Sequence, residues 1–178
     1  MKANETKVDK FLATNETTFA IPVYQRNYDW TLFQCKQLLH DIIETGKNDK
    51  TNAHFIGSIV YVHDDVYTAS GLTELTIIDG QQRLTTITLI YIALYRLAKE
   101  LDNQMLVNRI QKTYLINEFA PEEEKLKLKP TENNKEALRH ILNSTDGEEF
   151  KGYSKIIENF DYFRSAINAE NFDVIQRG

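Results

Sequence analysis

From Gln82 to Leu101 the chain runs for twenty residues without a glycine or proline, and its apolar side chains fall around most of a helical circumference. A helix with so little polar face has to be central. It follows almost directly on a run of strand formers, Leu72 to Ile78, with only Asp79 and Gly80 between them. A strand that turns within two residues into a core helix commits the chain to an α+β arrangement, with a sheet on one side of that helix. The stretch His54 to Val62 is almost continuously apolar and β-branched, which predicts a strand buried on both faces. Its expected partner is the 72–78 strand, in a hairpin whose long loop begins at His63-Asp64-Asp65.

The remaining elements follow from spacing and punctuation. Val8 to Ala13 predicts a short amphipathic helix and Thr17 to Ile21 a strand that Pro22 ends. Thr31 with Gln34 three residues on reads as a capping box. Leu32, Cys35, Leu38, Leu39, Ile42 and Ile43 then recur at helical spacing, with Gly46 as the expected C-cap. Beyond residue 101 a helix is predicted over Asn103 to Glu118. Lys125 to Lys129 alternates with period two and is expected to be an edge strand with lysine on its outer face. Pro130-Thr131 opens a helix to about Leu142, and Tyr153 to Ala169 forms a last one. Residues 1–101 therefore read as an α+β core with a mixed sheet and central helix, and 102–178 as a mostly helical extension.

Composition narrows the class. Hydrophobic residues make up 42% of the 178, enough for a core, so a disordered chain or a disulfide scaffold is excluded. One cysteine, Cys35, can neither bridge internally nor hold a metal by itself. The longest apolar run, Ile87 to Leu94, is far short of the ~20 residues of a membrane helix. Nothing in Met1-Lys2-Ala3-Asn4-Glu5 resembles a signal peptide. The expectation is a cytoplasmic protein with no membrane partner. Its formal charge of −5 argues against a domain that grips DNA mainly through phosphates. The ending Gln176-Arg177-Gly178 carries no stop signal, and a further segment is expected to follow it.

Two constellations carry chemistry. In Ile78-Asp79-Gly80-Gln81-Gln82-Arg83-Leu84-Thr85-Thr86 a helix begins with unpaired N–H groups at the positive end of its dipole. Gly80 admits close approach, and Gln81, Gln82, Arg83, Thr85 and Thr86 add donors, which describes a phosphate site. The same residues admit another reading, in which Asp79 and Gln82 form a capping box and satisfy those N–H groups internally. A carboxylate at Asp79 beside phosphate also calls for a cation. The second constellation, Ile21-Pro22-Val23-Tyr24-Gln25-Arg26-Asn27-Tyr28-Asp29-Trp30, interleaves aromatics with Gln, Arg and Asn. It suits either a base-stacking, phosphate-clamping loop or a loop that packs its rings on the core. His140-x-x-Asn143, His54 with His63, and Glu122-Glu123-Glu124 read as a chance spacing, strand ends that cannot converge on an ion, and a solvated face. The chain has no G-x-x-x-x-G-K-[S/T], G-x-G-x-x-G or G-x-S-x-G motif.

These two constellations, with Phe55-Ile56-Gly57-Ser58-Ile59-Val60 between them, closely resemble the amino-terminal domain of GmrSD-type restriction endonucleases, the DGQQR family. Leu126-Lys127-Leu128 with Asn134, and Asn159-Phe160-x-Tyr162-Phe163, resemble that family's weaker downstream pattern. The resemblance implies a ParB/sulfiredoxin-like fold and a regulatory domain that binds and hydrolyses a nucleoside triphosphate, with Mg²⁺, in a restriction enzyme that acts on invading, sometimes modified, DNA. Carried onto this chain, Tyr24, Gln25, Arg26, Gly80, Gln81, Gln82, Arg83 and Thr85 would bind nucleotide. Asp79 would hold the cation or attacking water, and Arg26 would neutralise developing charge. DNA would be met through a longer parent protein with a His-Asn-His nuclease domain, and homo-oligomers are possible. The alternatives are a DNA or modified-base binding module without turnover, and an interaction domain in which the DGQQR turn is only structural.

Overall fold

A computed structural model describes residues 5–48, 55–63, 71–144 and 148–178. The described residues form an α+β fold of seven α-helices and a four-stranded mixed sheet. In chain order these are α1 (Val8–Leu12), β1 (Thr17–Ala20), α2 (Leu32–Lys47), β2 (Val60–His63), β3 (Thr73–Asp79), α3 (Gln81–Glu100), α4 (Gln104–Ile110), β4 (Leu128–Lys129), α5 (Glu132–Asn143), α6 (Lys155–Ala166) and α7 (Phe172–Arg177).

The sheet order is β2-β3-β1-β4. Strand β1 runs parallel to both neighbours, with Phe19 opposite Leu75 on β3 and Leu128 on β4. Only β2 is antiparallel. Three adjacent strands thus point their carboxyl ends the same way. From those ends emerge the 21–30 loop after β1, α3 after β3 and α5 after β4. Phe19, Leu75, Ile77 and Leu128 join the apolar side chains of α3 in one core. As its all-round apolar pattern requires, α3 buries sixteen of its twenty residues. It packs against α4 and α6, and the same core takes in Leu138 of α5 and Phe160 of α6, so side chains from both sides of residue 101 fill it. Near its far end the buried Arg96 guanidinium donates to the Ile141 carbonyl (2.9 Å) and to Ser144 Oγ (3.1 Å). That contact ties the end of α3 to the end of α5.

The structure corrects several expectations. The apolar 54–62 run is not a strand buried on both faces: β2 is a four-residue edge strand, half-buried only at Val60 and exposed beyond it. Gly57 has φ +103° and interrupts the extended backbone, a bulge follows at Val60/Tyr61, and Phe55 lies 82% exposed. His54, Asp64 and Asp65 lie outside the described residues. Gly46 is no C-cap, since α2 continues through Lys47 and Asn48 caps it. A Cβ at 46 would overlap the Val174 carbonyl oxygen, so this glycine lets α7 pack backbone to backbone on α2. The predicted 103–118 helix is α4 followed by a π-turn over Gln111–Leu115. The final helix ends at Ala166, and the short α7 follows it.

The lysine face of the 125–129 segment is also not wholly outward. Lys127 is 2% exposed, and its Nζ donates to the carbonyls of Leu12 (3.0 Å), Thr14 (2.9 Å) and Thr113 (2.7 Å). Strand β4 covers only Leu128 and Lys129, with an isolated bridge from Ile116 to Leu126 before it. The alternation therefore does not divide an exposed from a buried face, and one ammonium serves three carbonyls that no backbone donor reaches.

Candidate functional site

At the carboxyl end of β3 the chain turns through Gly80, which takes φ +91° and is the N-cap of α3. A Cβ there would lie 2.9 Å from the Ser58 carbonyl oxygen and 3.1 Å from the Ile59 Cα. Glycine thus meets two demands, a left-handed backbone and the close backbone of residues 58–59. The cap carries no side-chain hydrogen bond, so Asp79 and Gln82 do not form the capping box that the sequence also allowed. Asp79 is the last residue of β3 and is exposed.

The motif side chains then part company around the first turns of α3. Gln82 turns inward: its Oε1 accepts from the Asp29 N–H (2.8 Å), and its Nε2 donates to the Asn27 carbonyl (3.1 Å). Thr86, one turn on, donates to the Gln82 carbonyl (2.8 Å) and so accepts from the Tyr28 hydroxyl at 2.8 Å. Tyr28 in turn accepts from Asn159 Nδ2 (3.0 Å), which also donates to the Trp30 carbonyl (2.8 Å). This chain of bonds fastens the 27–30 loop to α3 and α6. Burial pushes the Tyr28 phenol far above its usual range, and it pushes the neighbouring Cys35 thiol up as well. Gln25 adds a clamp from its Nε2 to the Ile78 carbonyl (2.9 Å). Arg83 points away from these residues. Its guanidinium donates to the Ser58 carbonyl (2.5 Å), and a Cβ at Gly57 would stand 2.7 Å from its Cζ.

Between the 21–30 loop and the starts of α3 and α5 lies a shallow, closely packed cleft, lined by Ile21, Arg26, Tyr28, Gln81, Gln82, Thr85, Thr131 and Asn134. Of the residues singled out from the sequence, Arg26, Gln81, Gln82 and Thr85 meet here. Gly80 forms the adjoining cap, Gln25 clamps the loop, Arg83 braces the 57–58 backbone, and Tyr24 stands 73% exposed. Gln81 (8% exposed) and Thr85 (3%) are buried polar residues one helical turn apart. Among the described residues neither side chain has a hydrogen-bond partner, whereas Gln82, Thr86 and Thr88 are all engaged. Neither contributes a buried unpaired polar atom, such atoms among the described residues being Asn117 Oδ1 and Asn159 Oδ1, so the Gln81 and Thr85 polar groups reach solvent at the cleft. Arg26 is the one cation of the lining, and there is no carboxylate in it.

Thr131 and Asn134 were not read as site residues from sequence alone, although Asn134 lay within the weaker downstream pattern. The available signal was a second strand-to-helix junction, Leu128 to Glu132, built like the first. Among the described residues no group of three or more His, Cys, Asp or Glu is placed to hold a metal, and no helix is long and apolar enough to cross a membrane.

The family model for the GmrSD restriction endonuclease N-terminal domain matches residues 8–177. The chain belongs to that family. A comparison with curated proteins gave no match. As a GmrSD N-terminal domain, the chain places its DGQQR segment, Asp79 to Arg83, across the β3–α3 junction. The Ile21–Trp30 segment lies over the first turns of α3. The ParB-like cast of the sheet remains a resemblance of sequence.

Proposed function

We propose that this GmrSD N-terminal domain is a nucleoside-triphosphate binding and hydrolysing module that regulates DNA cleavage by its restriction enzyme. The observation that carries the reading is the meeting of the Arg26, Gln81 and Thr85 side chains at the N-terminus of α3. Amides, hydroxyls, one guanidinium and a helix N-terminus form a donor set suited to phosphate oxygens. The cleft is a shallow, closely packed crevice, unlike the roughly 300–1,000 Å³ pockets that enclose whole ligands. The phosphates would lie against its mouth, with the nucleoside on the side where we assign Tyr24 to stack.

Mg²⁺ binds through few carboxylates and the substrate's own phosphates. The lining offers it no carboxylate, so the cation would arrive on the phosphates, with Asp79 and the Thr85 hydroxyl as its protein oxygens. Bound there, it would screen the phosphate charge. Arg26 is the group we assign to charge developing in the transition state. Arg83 and Gln82 support the site by holding the neighbouring backbone. A chain of net charge −5 is a poor grip for DNA phosphates, and we assign DNA contact to the larger enzyme.

The test is thermal melting with each triphosphate and Mg²⁺, followed by phosphate release. A ligand at 100 times its Kd adds about 2.7 kcal/mol, about 5–10 °C for a chain of this size. Arg26→Ala is expected to lose that shift while melting normally without ligand. No shift in the wild type with any triphosphate would leave the cleft a structural junction.

A further inference from the structure

A pocket of about 50 Å³ lies apart from the cleft and shares no lining residue with it. Along β1 and β3 successive side chains alternate between the two faces of the sheet. Phe19 and Leu75 turn to the core with α3, so Thr18 and Glu74, opposite each other on the two strands, turn to the other face. Leu72 and Thr18, both more than nine-tenths buried, form the floor there. Leu126, Leu128 and Pro130 add apolar wall, and Lys135 and Arg139, one turn apart on α5, close the far side. Most of the charges in this lining already have partners. Lys129 reaches Glu74 (3.5 Å), Lys135 reaches Glu132 (3.1 Å), and Glu124 is also engaged. Among the described residues the exposed Arg139 is the lining charge without an acid or carbonyl partner. The Thr18 hydroxyl also has a donor free. Asn117 Nδ2, oriented by its donation to the Thr17 carbonyl (3.1 Å), donates to Thr18 Oγ1 as well (3.4 Å), which leaves the hydroxyl proton to the pocket.

We propose that this pocket binds a short carboxylate, a group of about the size of propionate, through the Arg139 guanidinium and the Thr18 hydroxyl. A water-sized group takes roughly 10–15 Å³, so about 50 Å³ holds about four of them, a carboxylate and the one or two carbons behind it. A guanidinium meets a carboxylate with two parallel N–H donors, and the leucines and proline cover the carbons. The lining holds three cations against two acids. A bound ammonium would compete with Lys129 for Glu74 or with the existing partner of Glu124, whereas a carboxylate meets a guanidinium that is free. A free short acid and the acidic side chain of a protein offer this same chemistry.

Titration of the full chain with propionate, with its neutral isostere propionamide and with propylammonium, followed by backbone amide NMR shifts, tests this. Propionate is expected to move the amides of Thr18, Leu72 and Leu128 saturably. Propionamide should bind at least about tenfold more weakly, the ratio that one charge-assisted hydrogen bond gives. Arg139→Gln changes an exposed helix position, so the variant should melt as wild type does, and its affinity for propionate should fall to that for the amide. Thr18→Val keeps the shape of the floor and should weaken both ligands. Acetyl-glutamate-amide separates the two sources: binding at least as tight as propionate assigns the pocket to an acidic side chain, and weaker binding assigns it to a free acid. Propionate binding that Arg139→Gln leaves unchanged, equal binding of propionamide or propylammonium, or no saturable shift with propionate overturns the proposal. The triphosphate reading uses other residues and stands or falls separately.

Discussion

Replacing Lys127 by methionine isolates the ammonium cage that it forms with three backbone carbonyls. Methionine keeps most of the apolar stem and removes the charge, leaving the carbonyls of Leu12, Thr14 and Thr113 without the donor that reached them at 2.7–3.0 Å. An orphaned buried acceptor costs about 1–3 kcal/mol; only the Leu12 contact is fully buried and the other two are part-buried, so about 3–9 kcal/mol is the upper bound of the gross loss. Against this stands the cost of desolvating an ammonium, several kcal/mol, which the variant no longer bears. Access of water to the part-buried Thr14 and Thr113 carbonyls offsets more. A net loss of about 3 kcal/mol remains, or about 6–12 °C in the melting midpoint at this size. Urea unfolding followed by circular dichroism measures it. The pH dependence checks the same geometry. Burial lowers the Lys127 ammonium to about 8, below the ~10.4 of an unfolded lysine. Between those values the unfolded chain holds a proton that the folded one has released, so folding gains as pH rises. The wild type should therefore gain stability relative to Lys127→Met from pH 8 to 10. A variant within about 0.5 kcal/mol of wild type at neutral pH would show that the three carbonyls find water and that the cage contributes nothing.

Gly80→Ala should cost about 2–3 kcal/mol, combining a left-handed backbone penalty of about 1–2 kcal/mol with displacement of the Ser58 carbonyl 2.9 Å away. Melting of the purified variant reads the loss, and a neutral result would mean that the turn relaxes freely. Alkaline unfolding should follow the raised acids. Tyr28, Tyr91 and Cys35 are all held neutral by burial, so their contribution is complete below the unfolded values of about 8.5 for thiol and 10 for phenol. It is lost as pH climbs past them, because the unfolded chain ionises first. Tyr28→Phe should flatten that fall above pH 10 while costing about 1–2 kcal/mol at neutrality through its bonds to Thr86 and Asn159.

The elements that were legible in the sequence are those whose signal is local and redundant. Helix α3 shows in its period, in the absence of breakers and in the glycine before it. For α2, the Thr31–Gln34 capping box forms as expected, with Gln34 accepting from the Thr31 N–H at 2.9 Å. The misreadings share a different cause. At β2, β-branched content reports how well a residue suits a pleated surface, not whether a second layer lies over it, and here the sheet simply ends. Lys127 precedes a strand of only two residues, Leu128 and Lys129, too short for alternation to set sides. At Gly46, conformational freedom was assumed where the demand is for space, made by a helix more than a hundred residues further along. None of these can be read without knowing which segment lies opposite.

The site divides along the same line. Read as a string, Asp79 to Thr86 looks like one anion-binding unit, but a helix advances about 100° per residue and sends its members in three directions. Gln81 and Thr85 face the cleft, Gln82 and Thr86 face the loop that Tyr28 anchors, and Arg83 faces the Ser58 carbonyl. The arginine of the motif thus braces a neighbouring carbonyl, and the two neutral residues line the cleft. What completes the cleft, Thr131 and Asn134, lies some fifty residues further along and arrives only because β4 pairs parallel with β1. That pairing puts a second helix start beside the first. A nucleotide site in this fold should therefore respond to changes at the β4–α5 junction as strongly as to changes within the motif itself.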